Sequence, residues 1–314
     1  MRKSMWILGM VMVGAASLAH AQHEVLLQGN DKLARVNAAG EIEWEMKWHG
    51  IHDIHLLPNG HIMVQEHNRK VVEIHPRRKK VVWEYDSTKM NENEGKKVEV
   101  HAFQPLPNGH IMIAESGPAR IIEIDRDGKI HKEIKLKVNS PHPHRDTRLA
   151  RKLDSGNYLA CHESDGVVRE YDGESSAVVW EYEVPLFGKE KKGGHGPEAF
   201  GNSVFSAIRL ENGNTLIGSG NGHSILEVTP EKKIVWEVHQ NDLPGITLAW
   251  VTTLEVLPNG NLVIGNCHAG PGQPLLIELE RKTKKVVWTF DEFDTYGNSV
   301  SNSLLPEYSG KSIR

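Results

Sequence analysis

The residues of this sequence most capable of chemistry are its histidines, 18 in 314 positions, several of them close to arginines. Pro141-His142-Pro143-His144-Arg145 runs on to Arg148 and Arg151, while His52-Asp53-Ile54-His55 and Gly193-Gly194-His195-Gly196-Pro197-Glu198 set further imidazoles in polar, turn-rich surroundings. A neutral imidazole is a nucleophile, general base or metal ligand near pH 7, and a guanidinium offers a planar fork to anionic oxygens. Together they suit a bound sulfate, phosphate or carboxylate, and a histidine can take up a transferred group covalently. Protonation of such histidines below about pH 6.5 is expected to tighten anion binding. His162-Glu163 and Glu66-His67 carry ligand types for a divalent metal, with one residue of each pair able to reach a common ion, because neighbours on a strand face opposite ways. The sequence has no Gly-x-x-x-x-Gly-Lys-Ser/Thr phosphate loop, Gly-x-Ser-x-Gly elbow or His-Glu-x-x-His motif.

Which of these side chains meet depends on the elements that carry them, and those elements repeat. Leu57-Pro58-Asn59-Gly60, Leu106-Pro107-Asn108-Gly109, Leu153-Asp154-Ser155-Gly156, Leu210-Glu211-Asn212-Gly213 and Leu257-Pro258-Asn259-Gly260 are turns leading into apolar strands, with glycines 49, 47, 57 and 47 residues apart. Val82-Trp83-Glu84-Tyr85 and its counterparts at Trp44, Trp180, Trp236 and Trp288 recur with them, and His131 takes the tryptophan's place in one unit. A period of 40 to 50 residues made of short strands predicts a β-propeller. Five full units of four strands occupy 51–86, 100–135, 146–183, 203–239 and 249–291. Glu24–Gln28, Lys32–Asn37 and Glu41–Met46 supply three further strands, and Val300–Leu305 the missing fourth. The fold class is therefore all-β, a six-bladed propeller of four-stranded antiparallel blades closed by pairing the N-terminal strands with a C-terminal one. The tryptophans read as wedges between blades.

Propeller geometry turns position in the repeat into a face of the ring. The Pro-Asn-Gly turns lie on one face, so the entrances of the first strands and the ends of the second strands share the other, along with the long connections 87–99, 136–146 and 184–202. Loops of this length in a compact ring are more often functional than idle. Eight residues before each turn glycine stand His52, His101, Arg148, Phe205 and Thr252; six after it stand Glu66, Glu115, His162, Ser219 and Asn266. Both sets are expected to face an axial funnel. His52, His101, His144, Arg148 and His195 are the candidate catalytic residues, and Glu66, Glu115, His162, His223, Asn266 and His268 the candidate binding residues.

Arg2 and Lys3, the apolar run Met5–Leu18 and Ala19-His20-Ala21 have the form of a signal peptide over 1–21, leaving 22–314 as a single propeller domain, periplasmic or secreted after cleavage near Ala21. No membrane span is expected. The net charge of −4, or −6 without Arg2 and Lys3, argues against nucleic acid as a partner. Cys161 and Cys267 are expected to be free and buried.

The repeat, an apolar strand, a Pro-Asn-Gly turn and a strand ending Val-Trp-Glu-Tyr, resembles the pyrroloquinoline-quinone-like propeller repeat. Quinone-binding dehydrogenases of that class have eight blades, so no such cofactor is expected here, while a divalent metal is allowed. The phrase at His52, with Leu56-Leu57-Pro58-Asn59-Gly60 behind it, and the stretch His144 to Arg148 are similar in kind to bacterial arylsulfate sulfotransferases, periplasmic six-bladed propellers. That resemblance implies ping-pong transfer of a sulfuryl group from a phenolic ester through a funnel histidine, with a small anionic or aryl substrate. The alternatives are a non-catalytic periplasmic scaffold with a protein partner, and a metal-dependent lactonase or lyase. An enzyme should bring at least two histidines and an arginine within hydrogen-bonding reach of one point; a scaffold should present an exposed apolar patch.

Overall fold

The computed structural model of the protein describes residues 23–314 apart from residue 51, so the expected signal peptide lies outside the described residues. Among the described residues the chain forms six four-stranded antiparallel sheets, the six-bladed propeller expected from the repeat. The innermost strands are Ile54–Leu56, Glu99–Pro105, Ala150–Lys152, Val204–Arg209, Trp250–Val256 and Ser303–Leu304; the outermost are Ile42–Lys47, Lys80–Asp86, Ile130–Lys135, Val178–Glu183, Ile234–Val238 and Lys285–Phe290. Trp250–Val256 is buried at every residue, because neighbouring blades cover both of its faces. The outer strand Lys80–Asp86 alternates instead, Val81 and Trp83 half-buried and Val82 and Glu84 exposed. Counting the blade of the N-terminal strands as the first, apolar packing lies between blades, as where Ile208, Leu216 and Ile225 of blade five (203–239) meet Leu254, Leu262 and Ile277 of blade six (249–291). No helix among the described residues is long and apolar enough to cross a membrane.

The turn phrase works by local hydrogen bonding. Asn59 Oδ1 accepts the His61 N–H at 2.9 Å, Gly60 donates to Leu57 O at 2.8 Å, and Gly60 holds a φ of +78° that a side chain would resist. The tryptophans do more than wedge. Trp44, Trp83, Trp180 and Trp236 each donate an indole N–H to the outer hairpin of the next blade, at Pro76 O, Arg126 O, Pro230 O and Arg281 O, over 2.7 to 3.0 Å. His131, the exception, stacks on His110 of its own blade.

Closure occurs as expected, with Leu304 opposite Leu26 and Ser303 opposite Leu27, but over two residues rather than six. Val300 is drawn into the apolar cluster with Trp288 and Tyr296, and Pro306 opens a 3-10 turn. Residues beyond it run beneath the ring, Ile313 bridging to Val256. His23 clasps the seam: its Nδ1 donates to Glu307 and its Nε2 to Glu278, both at 2.8 Å, with Trp288 edge-on beside it. Burial alone would push this imidazole down, yet the two carboxylates raise it from 6.5 to about 9. A group raised on folding stabilises in full below its ordinary value and ceases to as pH passes its folded value, a span here corresponding to about 3 kcal/mol. Urea unfolding of wild type and His23→Ala should therefore show a stability gap that is wide at pH 6 and narrows toward pH 10; a gap that is constant or widens with pH contradicts the clasp.

Candidate functional site

Each inner strand enters from the face opposite the Pro-Asn-Gly turns, and the side chains at those entrances converge on the axis. His52, Arg148, Phe205, Thr252 and Ser301 line a cavity of about 430 Å³, and His101 touches two of them from the side. His52 Nδ1 lies 3.1 Å from His101 Nδ1; the Arg148 guanidinium lies 3.4 Å from His52 Nε2 and 3.3 Å from His101 Nδ1. Arginine has donors only, so it assigns both of those nitrogens as acceptors. His52 then carries its proton on Nδ1, aimed at His101 Nδ1, whose single lone pair is shared between that proton and Arg148; the His101 proton sits on Nε2, facing Glu99 Oε2 at 3.2 Å. Glu99 is joined from its other side by His144 Nδ1 at 2.7 Å. Arg148 is itself held through Nε by Glu163.

This arrangement fixes protonation as well as position. Burial, then the adjacent His101 and Arg148, push His52 well below the ordinary imidazole value; burial and Arg148 take His101 down to about 3 against the pull of Glu99. The contacts of His101 and His144 hold the Glu99 carboxyl well below the usual carboxylate range. The two axial histidines thus stay neutral below pH 6.5. For these two rings the shifts run against the sequence-based expectation of charging below pH 6.5; the fixed cation of this site is Arg148.

The backbone beneath is over-determined. Gln65 Oε1 accepts from both the His52 and Asp53 N–H groups, at 2.6 and 2.8 Å, and Asn302 donates to His52 O at 2.8 Å. Asp53, fully buried, takes a bidentate pair from Arg151 at 2.6 and 2.9 Å and accepts from the Ile54 and Phe103 N–H groups. Burial by itself would raise this carboxyl, but Arg151 and His55 hold it far below the usual range. Arg314 plugs the axis from below, donating to Ile54 O, Asn302 Oδ1 and Ser303 O.

Residues 29–290 match the family described as outer membrane protein assembly factor BamB, of the quinone-type repeat class. The chain belongs to this family. Among solved structures it is similar to a protein of unknown function from Bacteroides caccae, with a TM-score of 0.73 and 23% identity over 94% of this chain and 100% of that one. It is also similar to virginiamycin B lyase from Staphylococcus aureus (0.52, 16%, covering 82% of this chain and 76% of that one) and to a streptogramin B lyase (0.55, 12%, covering 87% and 84%). At these identities the likeness is one of fold. No curated protein matches the chain.

In this BamB-family propeller the remaining candidates separate by location. His195 lies on the far wall of the cavity, 4.7 Å between ring centres from Trp250 and 5.1 Å from His268, whose imidazole is lowered by burial and by His195. Phe205, Trp250 and Cys267 form an apolar cluster on that wall; Cys161 and Cys267 are both free and buried, as expected. The residues expected at the second-strand ends do not line the cavity, being one strand further from the axis, and all but Ser219 are committed to local partners. Glu66 pairs with Lys70, and Glu115 with Arg120 and Asn93. His162 bridges Asp146 O and the Tyr171 hydroxyl, and burial lowers it to about 4. His223 spans Ala249 O and Ala199 O, and Asn266 holds the Ala249 N–H and Thr247 O. With Glu163 on Arg148, neither His162-Glu163 nor Glu66-His67 converges on one point. Sequence reasoning missed Glu99: it stands two residues before His101, but a bulge at His101 breaks the alternation, so spacing alone does not place the two together.

Asp53→Asn would leave the Arg151 guanidinium buried without its counter-charge, at a cost of about 3–5 kcal/mol. Thermal unfolding should show a Tm roughly 10 °C lower; an unchanged Tm contradicts the axial pair as the support of the site.

Proposed function

We propose that the axial cavity is the active site of an enzyme acting on small anionic aryl esters, with sulfuryl transfer through His52 as its reaction. The observation that carries this reading is the approach of the Arg148 guanidinium to unprotonated nitrogens of two neutral histidines, His52 and His101, on the floor of a cavity whose other wall is Phe205 and Trp250. Two histidines and an arginine at one point is the arrangement expected of an enzyme. Among the described residues the large apolar side chains that stand exposed are Ile42, Val82, Val179 and Val235, one to a blade on outer strands, and Phe187 in the connection 184–202.

In this reading the aryl group lies against the aromatic wall and Arg148 meets the sulfuryl oxygens. His52 Nε2 attacks sulfur; the nitrogen–sulfur bond forms as the ester oxygen–sulfur bond breaks, and the phenolate leaves and takes a proton from water. The imidazole keeps its Nδ1 proton, which points at His101 Nδ1, and the Glu99 carboxylate beside His101 offsets the positive charge gained. A second phenol oxygen then displaces the imidazole and gives its proton to solvent. Work outside the cytoplasm is consistent with the signal-peptide form of residues 1–21 and with the family's description.

The second reading, a platform in outer-membrane protein assembly, is favoured by family membership. A chromogenic aryl sulfate with a phenolic acceptor separates the two. Wild type should turn over, His52→Ala should be inactive, and Arg148→Lys should lose roughly 10²–10³ in kcat, since an ammonium lacks the planar fork. The rate should also hold as pH falls from 7.5 to 6, because His52 does not titrate there. A folded wild type without turnover on any phenolic acceptor removes the enzyme reading and leaves the platform.

A further inference from the structure

We propose that Glu99, His101 and His144 form a binding site for one divalent transition-metal ion at the edge of the axial cavity. Their ligand atoms all lie within 4.8 Å of one another, and among the described residues they are the group of three that does so. One carboxylate oxygen, Glu99 Oε2, collects both imidazoles, His144 Nδ1 at 2.7 Å and His101 Nε2 at 3.2 Å. The second contact is too poorly aligned to be a hydrogen bond, and the buried His101 Nε2 has no other partner. A buried polar nitrogen without a partner is costly and uncommon. An ion placed among the three would satisfy it and stand where the His144 proton now meets the carboxylate.

The elements that hold these ligands favour a defined site. Glu99 and His101 both lie on the strand Glu99–Pro105, where a bulge at His101, pairing skipping from Val100 to Ala102, brings the imidazole to the Glu99 carboxylate. His144 comes from the loop 141–146, which is tied by the Arg145 and Asp146 N–H groups on His142 O at 2.7 and 2.9 Å and by the His142 N–H on Asp146. His144 borders the cavity, so a fourth coordination position would be open to a water or a substrate. Two imidazoles and one carboxylate suit zinc, manganese, iron or cobalt rather than magnesium or calcium, which favour oxygen ligands. The positive charge added beside Arg148 is offset by Glu99 on one side and Glu163 on the other. Among the described residues the histidine pairs His61 with His75, His110 with His131 and His195 with His268 have no third converging ligand.

The ion would replace the Nε2 proton that the metal-free site assigns to His101, so this inference concerns a metal-bound state distinct from the one the sulfuryl reading uses, and its test needs no turnover. The full chain, stripped with chelator, is titrated with zinc chloride by calorimetry, and the bound metal is counted by elemental analysis. One saturable equivalent per chain is expected, weakened at least about 100-fold in both Glu99→Gln and His144→Ala. His144 is half exposed and its removal leaves the core intact; circular dichroism confirms that the variants are folded. Absence of a saturable equivalent, affinity unchanged in both variants, or loss of zinc in His110→Ala alone would overturn the site.

Discussion

Asp53 and Arg151 stand 98 positions apart in the chain and meet on the propeller axis, where their bidentate pair joins the first strand of blade two to that of blade four. A buried ion pair has no intrinsic claim to stability, because removing two charges from water can cost more than their attraction returns. This one is tolerated because its remaining lone pairs are used: Asp53 also accepts from the backbone of Ile54 in its own blade and of Phe103 in blade three. Three blades are thereby registered on one carboxylate. His52 is the residue immediately before it, so the pose of the reactive imidazole follows from that register.

Above this layer a second arginine sets the chemistry. Arg148 is neutralised on one side by Glu163 and turns its other edge to two imidazoles, and a fixed cation there makes protonation of either ring unfavourable. The outcome is a site whose positive charge resides in a planar donor fork, with two neutral histidines whose unprotonated nitrogens turn toward it. An anionic ester thus meets a nucleophile and an anion-holding group at once. The two arginines differ in role although both are buried: Arg151 is saturated by carboxylate and backbone, whereas Arg148 keeps an edge on the cavity.

The blades were legible because their signal is local. Asn-Gly turns carry their own hydrogen bonds, and a strand of fixed length between such a turn and the opposite face places its entrance residue on the axis, so that counting eight positions back from Gly60, Gly109 and Gly156 found His52, His101 and Arg148. Counting forward failed, because a polar group at the end of a second strand turns toward whatever partner the fold supplies. For His162 that partner is the Tyr171 hydroxyl, and for Glu115 it is Arg120, neither a matter of period. The protonation expectation failed for a related reason, since burial and a neighbouring guanidinium act through space. Contacts between distant segments, Asp53 with Arg151 and Arg314 under the ring, leave no trace in the spacing of one sequence, and the clasp of His23 with Glu278 and Glu307 joins residues 255 and 284 apart.

The central claim is that Arg148 and the axial packing keep His52 neutral with its proton on Nδ1. Long-range proton–nitrogen correlation spectra of the histidine rings at pH 6, with the His52 signals assigned by comparison with His52→Ala, report tautomer and charge directly. The account predicts a neutral ring protonated on Nδ1 at that pH, coupled to a neutral His101 protonated on Nε2. An imidazolium at His52, or the opposite tautomer, would contradict it.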